Sequence, residues 1–394
     1  MDRVLIAGAG PVGLVTAGVL VKRGVPVTVL EAGSALSTES RASTFHPPTL
    51  DMLDHIGAAR PLIEQGLIAP TLQYRTRDEV LATFDFSAIA DVTKHPYRLQ
   101  AEQFKLTRIL HDLLRGNSLF EIAFESPITG VTQNGDGVVV TIGSADQQRT
   151  LSAPWLIGAD GASSAVRKLS AIEFEGFTWP ERFLVVSTPF AFDSVIPDLA
   201  SVTYVADPAR WHFFLRVPGM WRIMFPVPQE IDDAVATSDH FIQKQMAGLI
   251  PSRRGYEIAH TTLYRVHQRV ARAYRRGRVF LAGDAAHVNN PLGGMGMNGG
   301  IHDAVNLASR LAEVWHGRTP DASLDGYERQ RRSITVEFVQ AQTIQNKQNL
   351  EAKDPVAHAA FKERIRAIAA DPDRTRAYLR DIAMITSLSR AAEL

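Results

Sequence analysis

The stretch RVFLAGDAAHVNNPLGGMGMNGGIHDAVNLASRL, Arg278 to Leu311, decides how this chain reads. Val279-Phe280-Leu281-Ala282 is a short apolar run closed by Gly283, the pattern of a buried strand. Asp284 stands where that strand hands over to a loop. Five glycines follow between Gly293 and Gly300, and then Ile301, Ala304, Val305 and Ala308 recur on one helical face. A carboxylate at a strand end, a loop nearly bare of side chains and a helix start together make a place to hold a large polar ligand. The carboxylate accepts from hydroxyls. Glycines such as Gly296 let backbone come close, and the helix start offers unpaired N–H groups at the positive end of its dipole.

The N-terminal segment has the same grammar. Val4-Leu5-Ile6-Ala7 has the composition of a buried parallel strand, and Gly8-Ala9-Gly10-Pro11-Val12-Gly13 follows at once. A helix to about Arg23 ends at Gly24. Val27-Thr28-Val29-Leu30 is the second strand, with Glu31 at its end, eighteen residues beyond Gly13. A lone GxGxxG is a weak signal; with the strand before, the helix after and the acid beyond, it is a dinucleotide fingerprint. In that fingerprint Gly8 makes the turn, Gly10 admits a pyrophosphate, Gly13 lets helix approach strand, and Pro11 and Val12 open the helix. Glu31 accepts from ribose hydroxyls, which suits FAD or NAD rather than NADP.

Between these segments the pattern alternates. Pro47-Pro48 starts a helix with Leu50, Leu53 and Ile56 on one face, and His46 precedes it, as a cap or packing group or as a base. Residues 68 to 97 read as strands and turns, and Leu99 to Leu114 as a helix. Residues 119 to 151 read as a β-meander with a turn at Gly135-Asp136-Gly137. Leu156-Ile157-Gly158 is a strand with Asp160-Gly161 at its end. From about Glu175 to Tyr264 strands dominate, several alternating apolar and polar, so that one face is buried and the other lines a cavity. Tyr204, His212, Phe214, Arg216, Arg222 and Met224 are its candidate lining. Arg216 or Arg222 would suit a substrate carboxylate by bidentate pairing. Asp325 to Leu350 reads as a long polar helix with solvated Arg- and Glu-rich faces or a homodimer contact, and a further helical segment runs from Asp354 to about Ile385.

Composition narrows the class. The chain has 394 residues, 45% hydrophobic and 21% charged, ordinary for a globular protein of one or two domains. Lys and Arg number 42, as do Asp and Glu, so nothing draws it to nucleic acid or an anionic membrane. It has no cysteine, which excludes disulfides, thiolate-held metals and a thiol nucleophile. No metal site is read. The apolar run from Val4 to Leu20 is broken by glycines and Pro11, so it reads as a turn unit rather than a signal peptide. No other run nears the roughly 18 apolar residues of a membrane span. The expectation is a cytoplasmic protein.

The segments at 8–13, 158–167 and 283–298, in this order, resemble those of the FAD-dependent aromatic hydroxylases, the class A flavoprotein monooxygenases of p-hydroxybenzoate hydroxylase type. The resemblance spans nearly the whole chain. It implies an α/β fold in which a Rossmann-like FAD-binding domain (1–70, 98–175 and 265–330) is interleaved with a mostly β-sheet substrate domain (71–97 and 176–264), with C-terminal helices over 331–394. It implies that Asp284 holds the flavin ribityl chain, that Pro291 lies beside the ring, and that Met297 and Asn298 offer N–H groups to its pyrimidine side. Arg41 and Gln103 would reach the flavin side of the site, and Asp160 would serve both FAD and the nicotinamide nucleotide. Ser163 stands where the family often has Arg, which puts that nicotinamide contact in doubt; Arg167 remains, for a phosphate or a carboxylate. The implied chemistry uses FAD, NADH or NADPH, and O2 to hydroxylate a small aromatic, phenolic or N-heteroaromatic, through a C4a-hydroperoxyflavin. His46, Tyr204 and His212 are the candidate bases.

Two other readings stand beside it: a flavin reductase of unsaturated lipids or quinones, favoured by an aliphatic cavity without polar anchors, and a non-catalytic flavin-binding regulator. A flavin halogenase is set aside, since Trp221-Arg222-Ile223-Met224 lacks the Trp-x-Trp-x-Ile signature.

Overall fold

The computed structural model describes residues 2–39, 42–144, 147–208, 210–351 and 354–394. Strand Val4–Ala7 sits inside a six-stranded sheet, paired in parallel with Val27–Leu30 on one side and Leu156–Gly158 on the other. Phe120–Ala123 adds beyond Val27–Leu30, Val279–Leu281 adds beyond Leu156–Gly158, and Arg275–Arg276 closes that edge antiparallel. Val4–Ala7, Leu156–Gly158 and Val279–Leu281 are buried throughout, which is why they are unbroken apolar runs. Because these strands are parallel, their carboxyl ends share one edge. That edge gathers the turn at 8–13, Glu31, Asp160 and Asp284 from four separate stretches of chain.

Helix Pro11–Lys22 is buried on nearly every side between this sheet and its helical neighbours. It packs against Met295–Trp315, and close approach is allowed by missing side chains. A Cβ on Gly300 would lie 2.7 Å from Val12 Cγ2 and 2.9 Å from Gly283 Cα. The first and last glycine segments of the sequence therefore touch.

The second layer is an eight-stranded sheet in the order His287–Val288, His260–Ala271, Phe174–Thr188, Met220–Val227, His212–Val217, Val202–Val205, Thr71–Arg75, Val80–Asp85. Its two faces have separate cores. One carries Leu72, Tyr74, Val185, Tyr204, Phe213 and Met224, packed against Leu292 of the glycine-rich loop and Phe361, Ile365, Leu379 and Ile382 of the C-terminal helices. The other carries Leu184, Phe192, Val205, Phe214, Trp221 and Phe225, packed against Ile242 and Met246 of helix Asp239–Ala247. Strands Phe174–Thr188 and His260–Ala271 each run on towards the six-stranded sheet, across positions 175 and 265.

Three local expectations change. The meander holds for Ile128–Gln133, Val138–Ser144 and Gln147–Ala153, but Phe120–Ala123 joins the parallel sheet instead. A strand pattern carries no record of its partner. The helix expected from Leu99 begins at Gln103, because Arg98–Gln100 pairs with both Thr44–Phe45 and Leu67–Ala69. The long polar helix is two α-helices, Asp325–Ile334 and Ala341–Glu351, joined by a π-helical stretch, Thr335–Gln340. It is not simply solvated: Arg331, Thr335, Thr343 and Lys347 are buried. The terminal segment is three helices, Pro355–Ala369, Pro372–Ile382 and Ile385–Glu393. Asp354 and Asp371 cap the first two, each ahead of a proline in the first turn.

Candidate functional site

At the carboxyl edge of the parallel sheet the turn at 8–13 is built to receive a ligand. Gly8 has φ +95°, and a Cβ there would lie 2.5 Å from Ala159 O. A Cβ on Gly10, by contrast, would meet nothing within 4 Å: that side of the turn is open. Helix Pro11–Lys22 has Pro in its first turn and no side-chain cap, so the N–H groups of Val12 and Gly13 stay unclaimed by the helix. The Glu31 carboxylate braces the turn, accepting from Ala9 N–H at 2.7 Å and Gly33 N–H at 2.8 Å. Asp160 likewise accepts from the Ser164 hydroxyl and, at 3.0 Å, from Val166 N–H. Arg167 faces protein backbone and lies within electrostatic reach of the Asp160 carboxylate. It is buried and donates to Ala285 O at 2.9 Å and Ala162 O at 2.8 Å, tying the Asp160 segment to the Asp284 segment. Asp284 is exposed in the turn Gly283–Ala285, at the end of its strand.

The glycine-rich loop ends with Gly294 in the left-handed conformation, φ 70°, and helix Met295–Trp315 starts without a side-chain cap. By the four-residue offset of an α-helix, the N–H groups of Met295, Gly296 and Met297 have no intrahelical acceptor. Asn298 is fully buried and works as a staple: Oδ1 accepts from His46 N–H at 2.9 Å, and Nδ2 donates to Thr44 O at 2.8 Å and Gly294 O at 2.6 Å. The half-buried Pro291 accepts Gly294 N–H at 3.0 Å. Gln103, at the start of its helix, accepts from Ala42 N–H at 3.3 Å. Arg41 lies outside the described residues. The open side of Gly10, two uncapped helix starts and exposed Asp284 at one sheet edge fit a flavin dinucleotide.

The aromatic face of the eight-stranded sheet meets this loop. Tyr204 Oη accepts from Gly293 N–H at 3.0 Å, and its ring stacks on Tyr74 at 5.4 Å between centroids. Tyr378, from the C-terminal helices, donates to the Tyr74 hydroxyl at 2.9 Å. Burial raises Tyr74 well above the ordinary tyrosine range and Tyr378 to about 12, so both stay neutral hydroxyls. His46 is fully buried, and its Nε2–H donates to Gly293 O at 2.8 Å. The carbonyl can only accept, so Nδ1 is the deprotonated nitrogen; it has no hydrogen-bond partner among the described residues. Burial, then the charge of Arg98, holds the pKa of His46 well below its usual value. Arg222 is 6% exposed, opposite Leu215 and Ser187 on the same sheet face, and donates to Ser43 Oγ at 3.1 Å.

Two candidates leave the group. His212 pairs with Val205, so the two-residue strand period turns it to the other face, 5.2 Å from Phe214 and 6.1 Å from Phe225 between ring centroids. Burial lowers its pKa to about 4. Arg216 lies on that face too, 44% exposed, 2.5 Å from Asp193 and over the Trp221 ring. Strand parity thus places both on the face away from Tyr204 and the glycine-rich loop.

Sequence reading missed a buried charge cluster behind the loop. Asp303 accepts from Arg331 Nε at 2.7 Å, His287 Nε2 at 2.8 Å and Gly283 N–H at 3.1 Å. Burial pushes the Asp303 carboxyl up, but Arg331 and His287 outweigh it and hold it below its usual value. Arg331 also reaches Gly299 O at 3.3 Å, so the cluster grips the chain both at Gly283 and at Gly299. Asp303 and His287 are within the stretch quoted first, but sixteen residues apart they fit no helical or strand spacing. Tyr74, Tyr378 and Arg98 were missed for the same reason.

The comparisons with known proteins agree with this geometry. Residues 1–342 match the family model described as FAD binding domain. The chain is 34% identical to para-nitrophenol 4-monooxygenase of Pseudomonas sp. (strain WBC-3), over 92% of each chain. It is also 34% identical to 6-hydroxy-3-succinoylpyridine 3-monooxygenase HspB of Pseudomonas putida (strain DSM 28022 / S16), over 96% of this chain and 97% of that one. The crystal structure of p-nitrophenol 4-monooxygenase PnpA from Pseudomonas putida DLL-E4 superposes with a TM-score of 0.92 at 31% identity, covering 98% of both chains. Among the described residues no helix is long and apolar enough to cross a membrane. With three motifs at one sheet edge, an aromatic sheet face against the last of them and these relatives along its length, this chain belongs to the FAD-dependent flavoprotein monooxygenases of p-hydroxybenzoate hydroxylase type and is an oxidoreductase.

Proposed function

We propose that this protein hydroxylates a phenolic or N-heteroaromatic ring, taking electrons from NADH or NADPH and one oxygen atom from O2. The observation that carries this is the hydrogen bond from Gly293 N–H to Tyr204. It fastens the loop expected to hold the flavin ring to an aromatic sheet face suited to a flat substrate. The names of the two relatives, a nitrophenol and a hydroxypyridine monooxygenase, support the same ring classes.

Gly8, Gly10 and Gly13, with the helix start at Pro11 and Val12, would receive the pyrophosphate, Glu31 the ribose and Asp284 the ribityl chain. Gly296, Met297 and Asn298 would border the ring, with Pro291, Gln103 and Arg41 beside it and Asp160 bracing the edge. When bound there, FAD would supply the redox chemistry that delivers an oxygen atom to the ring. The chain's own residues hold the substrate. Arg222, buried on the Tyr204 face, would anchor an anionic substituent or phenolate. Tyr204 would orient the ring, and His46, kept neutral by burial, would hold the loop beside it through Gly293 O. The C-terminal helices behind Tyr74 and Tyr378 would keep water out.

The test is to load the protein with FAD and follow NADH and NADPH oxidation with 4-nitrophenol and a set of hydroxypyridines, under ¹⁸O₂. The expected result is stimulated oxidation with one labelled oxygen in the product. Reduction of an enone or quinone with no oxygen gained would replace this reading with the reductase.

A further inference from the structure

Three parts of the molecule meet at one buried point beside the glycine-rich loop. Gln268 comes from strand His260–Ala271 of the eight-stranded sheet, Asn290 from the loop just before Pro291, and Thr343 from helix Ala341–Glu351. None is more than 2% exposed. Gln268 Oε1 accepts from the Asn290 backbone N–H at 3.2 Å, while its Nε2 donates to Thr343 Oγ1 at 3.0 Å. Asn290 Nδ2 donates to Thr343 O at 2.9 Å, and Asn290 Oδ1 accepts from Leu292 N–H at 3.1 Å, arching over Pro291. The same helical face adds two grips on loop backbone: Gln340 Nε2 to Val288 O at 3.2 Å and Asn346 Nδ2 to Leu292 O at 3.3 Å. Residues 340, 343 and 346 are each three apart, so one face of the helix follows the loop from Val288 to Leu292.

The arrangement does more than fill space. Buried amides and hydroxyls are costly unless paired, and here Gln268 and Asn290 pair with Thr343 and with loop backbone, while the Thr343 hydroxyl donates to Val339 O at 2.8 Å. Tyr204, His46 and Asn298 hold the loop from Gly293 onward, and the residues above hold it before that point. We infer that Gln268, Asn290 and Thr343 are positioning residues: they lock the leading half of the loop to the substrate sheet, so that Pro291 and Gly293 keep fixed places relative to Tyr204. The inference rests on the flavin-loop reading above. A loosened loop would admit water, and nicotinamide would be consumed without hydroxylation.

The FAD-loaded full chain and its T343V, T343S and Q268L variants would be compared by visible circular dichroism of the flavin, amide exchange of residues 288–293, and product formed per NADH with 4-nitrophenol as probe. Thr343→Val removes the hydroxyl at constant size, and Thr343→Ser restores it. T343V and Q268L are expected to bind FAD and keep the KM for the probe. Their exchange should rise about fivefold or more, and product per NADH should fall by a similar factor, as loss of a buried hydrogen bond implies. T343S should behave as the natural chain. Unchanged dichroism, exchange and product ratio in T343V would overturn the inference, as would T343S failing as badly as T343V. If T343V does not fold, N346L at the rim of the same grip is read by the same criteria. Failure of the natural chain to bind FAD would instead overturn the reading of the site. If it binds FAD without hydroxylating 4-nitrophenol, dichroism and exchange decide.

Discussion

Gly10 and Arg222 show how far single residues can be separated into fold and site. Gly10 has an ordinary φ of −73°, and a Cβ there would meet no protein atom within 4 Å. Gly10→Ala is therefore expected to leave the thermal unfolding of the FAD-free protein within about 1 °C, since it adds no clash and no strain. It should weaken FAD binding about tenfold or more, because the methyl stands where the pyrophosphate would lie; flavin fluorescence titration measures this. The two arginines form a second pair. Arg222→Met should raise the KM for an anionic aromatic by roughly 10- to 100-fold, the worth of a charge-assisted bidentate contact. Arg216→Ala, on the far face and paired with Asp193, should change KM by less than about twofold. Equal effects in the two variants would remove Arg222 from the site.

At the scale of elements, helix Met295–Trp315 and the helical run from Asp325 to Glu351 are joined through charge. Asp303, 0% exposed, faces Arg331, 1% exposed, with His287 completing the set. Such a pair is weak as a source of stability but costly to break from one side. Asp303→Asn is expected to destabilise the fold by about 3–5 kcal/mol in urea unfolding. The double variant D303N/R331M should recover part of that loss, because no uncompensated charge remains buried. A cost below about 1 kcal/mol for D303N would mean that water reaches the pair. The helix at 325–351 also shows a limit of pattern reading. Its Arg and Glu residues look solvated in sequence, yet Arg331, Thr335 and Thr343 face inward, because what they meet is polar: Asp303 and Gly299 O, the Tyr274 hydroxyl, and the side chains of Gln268 and Asn290.

Across the whole molecule the buried histidines set an acid limit. Burial lowers His212 to about 4 and His302 to about 3, and burial with the Arg98 charge holds His46 well below its usual range. In the unfolded chain each titrates near 6.5. Below that pH the unfolded state binds the extra protons, so stability falls as pH falls and is recovered as pH rises above about 6.5. The slope is about 1.4 kcal/mol per pH unit for each such imidazole, down to its folded value. Urea midpoints measured between about pH 6.5 and pH 5 check this. His212→Gln should lower the slope by about one imidazole's share while leaving turnover within about twofold, since His212 lies on the sheet face away from the loop. An unchanged slope, or lost turnover, would contradict that placement.

The dinucleotide edge was legible in the sequence because its parts are local. A strand, a glycine turn, a helix and an acid are specified by neighbouring residues, and the stretch from Val279 to Gly300 carries its own strand, carboxylate and helix start. Parallel pairing of these units then brings their ends together without further information. The eight-stranded sheet was legible only as composition. Strand periodicity says that Tyr204 and His212 lie on opposite faces once the pairing and its turns are known, but not which face meets the loop. That choice was made by tertiary contacts: Leu292 and the C-terminal helices cover the Tyr204 face, and helix Asp239–Ala247 covers the other. The Asp303–His287–Arg331 cluster and the Gln268–Asn290–Thr343 knot were invisible for the same physical reason. A hydrogen bond between residues tens of positions apart leaves no period in the chain, so only the folded geometry could bring those groups within 3 Å or so of each other.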